Sequence, residues 1–238
     1  MRKSNRSIIA CFLLCGLLSM LSCSRNDQLD YALKKAGKNR TELEKVLKHY
    51  ETDSLKYKAA CFLIENMPFY YSLEGKELDK YYTYFKCFPF TKKTAEKLKD
   101  SIVHADGEFN ISLLSKRRDI ENIDSAYLVR NIDFAFKVWK EQPWGRHVSF
   151  SDFCEYILPY RIGDEPLSEW RETLYRRFNP MLDGLRGLYM ADDPKNVAQV
   201  ILDSLNRYPV RFTEIFPSGP HLGPQVIDLR DGTCREFT

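Results

Sequence analysis

A cysteine near the end of the chain, Cys234, stands in a sequence context that favours nucleophilic chemistry. A short apolar run at residues 226–229 precedes it, followed by a turn signal at Gly232. Read as a strand or loop, a turn and then a helix, this pattern places Cys234 in a first helical turn. Unpaired backbone N–H groups and the helix dipole there favour the thiolate, the nucleophilic form of cysteine. The pKa of such a thiol falls from about 8.5 to roughly 3.5–7.5.

The segment Gly232-Thr-Cys234-Arg-Glu-Phe-Thr238 resembles the entry into the catalytic helix of the transglutaminase-like cysteine enzymes. That resemblance implies a papain/transglutaminase-like α+β domain, whose helix packs on an antiparallel sheet, and a Cys-His-Asp triad with Cys234 as nucleophile. The family's His and Asp would follow Thr238, so we expect this chain to be inactive alone. The alternative is that Cys234 is an incidental thiol.

Two residues upstream of Cys234 are further candidates for its site. Gln225 lies nine residues before the cysteine and is a candidate donor to an oxyanion hole. His221 is an alternative base for the thiol, although no orienting Asp or Asn accompanies it in the sequence. Neither assignment follows from the family resemblance.

A second block, Phe153-Cys-Glu-Tyr-Ile-Leu-Pro-Tyr-Arg161 with Glu165-Pro-Leu167 and Trp170-Arg171, resembles the region that precedes the catalytic domain in lipoproteins of this group. Its polar side chains are candidates to line a substrate cleft: Glu155, Tyr156, Arg161, Glu165 and Arg171. The alternative is that they form helix caps and ion pairs between neighbouring helices. The forked guanidinium groups of Arg161 and Arg171 suit a carboxylate, either of a protein side chain or of a peptide terminus.

The start of the chain has the pattern of an exported lipoprotein. Residues 1–7 are positively charged, and the apolar run at residues 8–21 is too short for a comfortable membrane span. Met20-Leu21-Ser22-Cys23 resembles a bacterial lipobox, which implies lipidation at Cys23. An ordinary secretory signal with an incidental cysteine is the alternative. We therefore expect a protein of the bacterial cell envelope, anchored through lipid at the outer membrane or the periplasmic face.

Charge and composition argue against some partners and cofactors. The chain has 36 basic and 33 acidic residues, and the leader contributes three of the basic ones, which leaves 33 of each. This balance gives no electrostatic attraction to nucleic acid. We expect no cofactor, and no close pair of Cys or His residues indicates a zinc site. Cys61 and Cys154 lie in apolar stretches and are expected to be buried thiols rather than disulfide partners.

The elements that must position these residues are predicted to be mainly helices, because their apolar residues recur with helical spacing. Residues 27–67 predict a helical hairpin or triplet with a stop at Gly37, and candidate capping boxes begin at Asn39 and Thr41. Apolar stripes follow one face of each helix, at residues 43, 46, 47 and 50 and, in a helix that begins after Thr52-Asp53, at residues 55, 59, 62, 63 and 67. The tyrosines at 70, 71, 81, 82 and 84 are expected in the core or in a hairpin, with a stacking surface for sugar or peptide as the alternative.

Further helices are predicted in the second half of the chain. One follows Asp124, with residues 128, 132, 135, 136 and 139 on one face. A short one begins after Ser149 and ends before Pro159. The next is predicted to begin at Asp164-Glu165-Pro166 and to end at Asn179-Pro180, and a last one begins at Pro194.

These patterns predict a mainly α protein, a multi-helix bundle upstream of a truncated papain/transglutaminase-like α+β domain. The predicted regions are a signal peptide at 1–22, helical regions at 23–122 and 123–208, and a loop with the start of the catalytic domain at 209–238. The expected function is that of a lipid-anchored cysteine hydrolase of peptidase or amidase type, acting on peptide or glycan-peptide material. The alternative is a noncatalytic, lipid-anchored helical module that binds a polymer or a protein partner.

Overall fold

Side-chain caps set where several helices begin. The computed structural model describes residues 27–78, 110–185, 187–207, 211–212 and 231–232, with isolated helical positions at 97, 100, 101 and 104. Asp53, Asp124 and Ser149 each accept a hydrogen bond from the backbone N–H three residues further on. These bonds satisfy donors that the helix itself leaves unpaired. All three starts agree with the sequence-based predictions.

The N-terminal part of the described chain is the predicted helical triplet. Helix α1 covers residues 27–35, α2 is Arg40–His49 and α3 is Ser54–Asn66. Gly37 separates α1 from α2 with a φ of 55°, a backbone conformation that glycine adopts without steric cost. A 3₁₀ turn at Met67–Phe69 follows α3 and leads into the first strand.

A short hairpin-like pair of strands and a long helix form the centre of the fold. Strand β1 pairs antiparallel with β2, and Tyr71 faces Arg118 in the register. The segment after β2 turns into a short helix and then into the longest helix of the described chain. The bounds are β1 Tyr71–Glu74, β2 Ser115–Arg118, α4 Asp119–Asn122 and α5 Ser125–Glu141.

The second half continues with short helical elements. Helix α6 passes directly into a π-helical turn, Phe153–Ile157, and 3₁₀ turns lie at Pro143–His147, Asn179–Leu185 and Tyr189–Asp192. Strands β3 and β4 pair in parallel. The bounds are α6 Phe150–Asp152, α7 Trp170–Phe178, α8 Pro194–Arg207, β3 Arg211–Phe212 and β4 Asp231–Gly232.

One apolar cluster joins α1 to α5 and the π-helical turn. It contains the predicted stripe of α2 and the whole predicted face of α5, and Trp139 stacks on Phe153 with ring centroids 4.4 Å apart. Leu55, which was assigned to the stripe of α3, is instead 37% exposed. The cluster runs from Ala32 to Tyr160, so it includes residues from both sides of the predicted boundary at residue 122.

The predicted capping boxes of α2 are wrong, because their side chains bind other elements. The Asn39 amide donates to the carbonyl oxygens of Ile120 and Ile123, at 3.1 and 2.9 Å. The Glu42 carboxylate accepts from the backbone N–H and the hydroxyl of Ser125, at 3.0 and 2.6 Å. These contacts attach α2 to α4 and to the first turn of α5.

The fold class is confirmed at the level of a mainly helical protein. The tyrosines at 81, 82 and 84 and most of the segment at 79–109 lie outside the described residues. Among the helices that the structure describes, none combines the length and the apolar character needed to cross a bilayer.

The contact between Glu42 and α5 predicts an acid-sensitive contribution to stability. Hydrogen bonds from Lys45 and then from Ser125 lower the pKa of Glu42 from 4.5 to about 2. Because the pKa is lower in the folded state, this contribution is present above pH 4.5 and is lost as the pH falls towards 2. The stability difference between the unmodified chain and Glu42→Gln should therefore shrink over this range, measured by urea unfolding. A difference that is the same at both ends of the range would contradict the contact.

Gly145 provides a second test of the packing. A Cβ at this position would clash with the carbonyl oxygen of Trp139, whereas a Cβ at Gly184 meets nothing within 4 Å. Both glycines lie in 3₁₀ turns, so Gly184→Ala is a matched control. Gly145→Ala should lower the free energy of unfolding by about 1–3 kcal/mol, and Gly184→Ala should change it by less than about 0.5 kcal/mol. Equal effects in thermal or urea unfolding would show that the Trp139 contact is not tight.

Candidate functional site

The structure describes five of the nine residues that the sequence singles out as site candidates, namely Glu155, Tyr156, Arg161, Glu165 and Arg171. Cys234, Gln225 and Cys23 lie outside the described residues, as does His221. The described backbone nearest to Cys234 is β4, in which Asp231 and Gly232 pair with Arg211 and Phe212. The sequence predicted a turn at Gly232, but the strand pairing holds this glycine in an extended segment two residues before the cysteine.

Arg161 forms a buried ion pair with Asp119. Its Nε and Nη2 atoms donate to the two carboxylate oxygens at 2.7 and 2.8 Å, and the side chains are 1% and 2% exposed. Burial raises the pKa of Asp119, and the hydrogen bond from Arg161 opposes that rise. The Tyr160 hydroxyl is buried beside this carboxylate without meeting hydrogen-bond geometry. The ion pair connects the start of α4 to the segment after the π-helical turn.

Glu165 closes a tight loop at residues 161–165, which we call the Arg161 loop. Its carboxylate oxygens accept hydrogen bonds from the backbone N–H groups of Ile162 and Gly163, both at 2.8 Å. The Nη1 atom of Arg161 donates to the backbone carbonyl of Glu165. The carbonyl of Asp164 accepts from the backbone N–H of Leu73 in β1, at 3.0 Å. Both Arg161 and Glu165 are thus engaged within the fold.

These contacts correct the predicted start of α7. The sequence predicted that the helix begins at Asp164-Glu165-Pro166, but it begins at Trp170. The segment at 161–165 cannot be helical, because the Glu165 carboxylate and the Arg161 guanidinium hold it as a loop. The predicted end of the helix, at Asn179-Pro180, is confirmed.

Arg171, in the first turn of α7, has a different set of partners. Its Nε atom donates to the Oδ1 atom of Asn131 at 3.1 Å. Its Nη2 atom donates to the carbonyl oxygens of Leu158 and Pro159, at 3.2 and 2.8 Å. Burial lowers the pKa of Arg171 to about 10, so the guanidinium remains charged at neutral pH. All three acceptors are neutral oxygens. Within the described chain, no carboxylate accepts a hydrogen bond from Arg171 to balance its charge.

Arg171 lines an open groove between α5 and the start of α7, which we call the α5–α7 groove. Its volume is about 260 Å³. Aromatic side chains of Tyr127, Phe134 and Trp170 form part of its walls, and Asn131 lies beside Arg171. The centre of the guanidinium lies 4.7 Å from the ring centroid of Trp170, whose indole N–H donates to the carbonyl of Tyr160 at 2.8 Å. The groove thus combines a fixed cation with apolar surface.

The acidic residues that line this groove are each paired with a cation. Glu169 accepts from Arg130 at 2.7 Å and Asp133 from Lys56 at 2.9 Å. Glu172 accepts from Arg176 at 2.5 Å. Because these carboxylates already have partners, none of them serves as the counter-ion of Arg171. Sequence reasoning missed Asn131, although an asparagine on the apolar face of a predicted helix is a signal for a buried polar contact.

Other chemistry-bearing residues have structural environments. Cys61 and Cys154 are 8% and 5% exposed, as predicted for buried thiols. The His49 ring packs edge-on against Tyr50, and His147 accepts a hydrogen bond from Arg146 at 3.3 Å. Tyr156 is 78% exposed, and Glu155 is also exposed. Among the described residues, no group of three His, Cys, Asp or Glu side chains is placed to hold a metal ion.

Comparison with known proteins finds no matching family model, curated protein or solved structure. The resemblance around Cys234 and the resemblance of the block at 153–171 therefore stay predictions.

The buried ion pair predicts that two acidic residues, Asp119 and Glu44, contribute very differently to the free energy of unfolding. Asp119→Ala leaves the buried guanidinium of Arg161 without a partner and should lower the free energy of unfolding by about 3–5 kcal/mol. Glu44→Ala removes a partner of Arg40 that is 48% exposed, and should cost less than about 1 kcal/mol. Chemical denaturation of the two variants measures both values. Similar losses would mean that the Arg161–Asp119 pair does not hold the loop in place.

Proposed function

We propose that this chain is part of a lipid-anchored cysteine hydrolase of the transglutaminase-like type, acting as a peptidase or amidase on peptide or glycan-peptide material. The observation that carries the proposal is the sequence from Gly232 to Thr238, with Cys234 where that family has its nucleophile.

In this proposal the Cys234 thiolate attacks the carbonyl carbon of an amide. The carbonyl oxygen takes up the negative charge and is a target for a donor such as the Gln225 side chain. The C–N bond then breaks, the amine leaves with a proton from the general base, and water hydrolyses the resulting thioester. In the family, a His and an Asp that follow the nucleophile provide the proton transfer and orient the base.

The helical region would contribute by binding the substrate. The block that resembles the region ahead of the catalytic domain contains Trp170 and Arg171, which line the α5–α7 groove. Lipid on Cys23 would hold the chain at a membrane of the bacterial envelope, next to peptide and glycan-peptide material.

A second function is favoured by the groove itself. A noncatalytic, lipid-anchored helical module would need only a binding surface, and the aromatic walls and partly buried cation of the α5–α7 groove supply one. The state of the Cys234 thiol separates the two functions, because a binding module requires no activated cysteine.

The proposed hydrolase predicts that Cys234 reacts as a thiolate at neutral pH. The rate of alkylation by iodoacetamide should rise with a midpoint at roughly pH 7.5 or below, compared with about 8.5 for an ordinary thiol. The measurement uses the full chain with Cys11→Ser, Cys15→Ser, Cys23→Ser and Cys87→Ser, so that Cys234 is read against the buried thiols of Cys61 and Cys154.

The matched control adds Cys234→Ser to the same background and gives the rate of the remaining thiols. If the reaction assigned to Cys234 has its midpoint near 8.5, the hydrolase proposal fails and the binding module is favoured.

A further inference from the structure

We propose that the α5–α7 groove binds the carboxylate of a short peptide, with Arg171 as the residue that holds it. The inference goes beyond the proposed hydrolysis, because it concerns a site built by α5 and α7 and requires no reaction at Cys234. It applies equally to a hydrolase and to a binding module.

The hydrogen-bond capacity of Arg171 is the first argument. A guanidinium has five N–H donors. Three hydrogen bonds use Nε and Nη2, towards Asn131, Leu158 and Pro159. The two N–H groups of Nη1 make no hydrogen bond to a described residue, and Arg171 lines the groove. The protein therefore fixes the edge of the guanidinium formed by Nε and Nη2 and leaves the Nη1 donors for a ligand.

The charge of Arg171 is the second argument. Charges that are largely removed from water are normally paired in proteins, because an unpaired one carries a large desolvation cost. Arg161, ten residues earlier in the chain than Arg171, follows this rule through its ion pair with Asp119. Arg171 also lies in the first turn of α7, where the helix dipole adds positive potential. A bound carboxylate would supply the missing negative charge and accept a hydrogen bond from Nη1.

The shape of the groove limits the ligand. A volume of about 260 Å³ is below the roughly 300–1,000 Å³ of sites for drug-sized molecules. It suits the last one or two residues of a peptide, and the open side lets a longer chain continue outwards. The rings of Tyr127, Phe134 and Trp170 favour an apolar or aromatic side chain next to the carboxylate.

The rim of the groove does not oppose an anion. Glu169, Asp133 and Glu172 are each held by a basic side chain, which for Glu169 is Arg130, and Lys137 adds positive charge at the same rim. A carboxylate that approaches Arg171 therefore meets neutralised acids rather than isolated negative charges.

The test compares two ligands that differ only at the terminus, the dipeptide Ala-Phe and its C-terminal amide. Both are titrated into the full chain carrying Cys234→Ser, so that turnover cannot contribute, with binding followed by calorimetry and by tryptophan fluorescence. The acid should bind with a dissociation constant of about 1 mM or lower. The amide should bind about tenfold more weakly, because it loses charge-assisted hydrogen bonds to the guanidinium.

Variants then assign the effect to one side chain. Arg171→Gln should remove the preference for the acid over the amide. Arg177→Gln, an exposed arginine on the same helix that does not line the groove, should retain the preference. If Arg171→Gln fails to fold, the difference in affinity between Ala-Phe and its amide, measured on the chain with Arg171 intact, still tests whether the groove binds a carboxylate.

The inference is overturned if the two dipeptides bind equally, if neither binds, or if Arg171→Gln keeps the preference. These outcomes are independent of the alkylation result for Cys234. If Cys234 is reactive but the acid is not preferred, the hydrolase proposal stands and the carboxylate site is rejected. If the acid is preferred but Cys234 is an ordinary thiol, the carboxylate site stands and the hydrolase proposal is rejected.

Discussion

The buried pair between Arg161 and Asp119 is the interaction on which the second half of the structure depends. Two charges at 1% and 2% exposure carry a desolvation cost that only close, bidentate geometry offsets. The geometry requires α4 and the Arg161 loop to meet at one place. Glu165 then completes the loop through backbone hydrogen bonds, and Leu73 ties it to β1. The loop in turn fixes where α7 begins, and so where Arg171 lies.

Arg161 and Arg171 show how environment decides the use of the same side chain. Both are substantially buried, and both donate to backbone carbonyl oxygens near the end of the π-helical turn or the loop after it. Arg161 meets a carboxylate and is sealed beneath the surface, so its contribution is to the fold. Arg171 meets an amide oxygen from α5 and lines an opening, so its charge remains available to a ligand. No pattern in the sequence separates these two outcomes, because each depends on what the other elements bring to the site.

The elements that the sequence predicted well are those that local interactions determine. The starts after Asp53, Asp124 and Ser149 need only a side chain and a backbone N–H three residues apart, and the apolar face of α5 follows from helical period alone. The failures involve distant partners. Asn39 and Glu42 bind α4 and α5 across more than 80 residues, and Asp119 meets Arg161 across 42. For the candidate site, the sequence pointed to Arg171 but gave no sign of Asn131 as its neighbour or of the groove.

Sequences that specify a single fold usually satisfy every buried charge, and departures from that rule are expected where a site serves function. The described chain follows the rule closely at the Arg161 loop, where the guanidinium and both carboxylates have partners of suitable geometry. It departs from the rule at Arg171, within the same short stretch of chain. The partner of Arg171 on α5 is the amide of Asn131, which accepts from the guanidinium at 3.1 Å and donates from Nδ2 to the carbonyl oxygen of Leu158 at 3.0 Å, a hydrogen bond that a carboxylate could not make. Asn131 therefore has a structural reason to be an amide. It leaves Arg171 without a carboxylate partner among the described residues, beside an opening with aromatic walls where a ligand carboxylate would supply the negative charge.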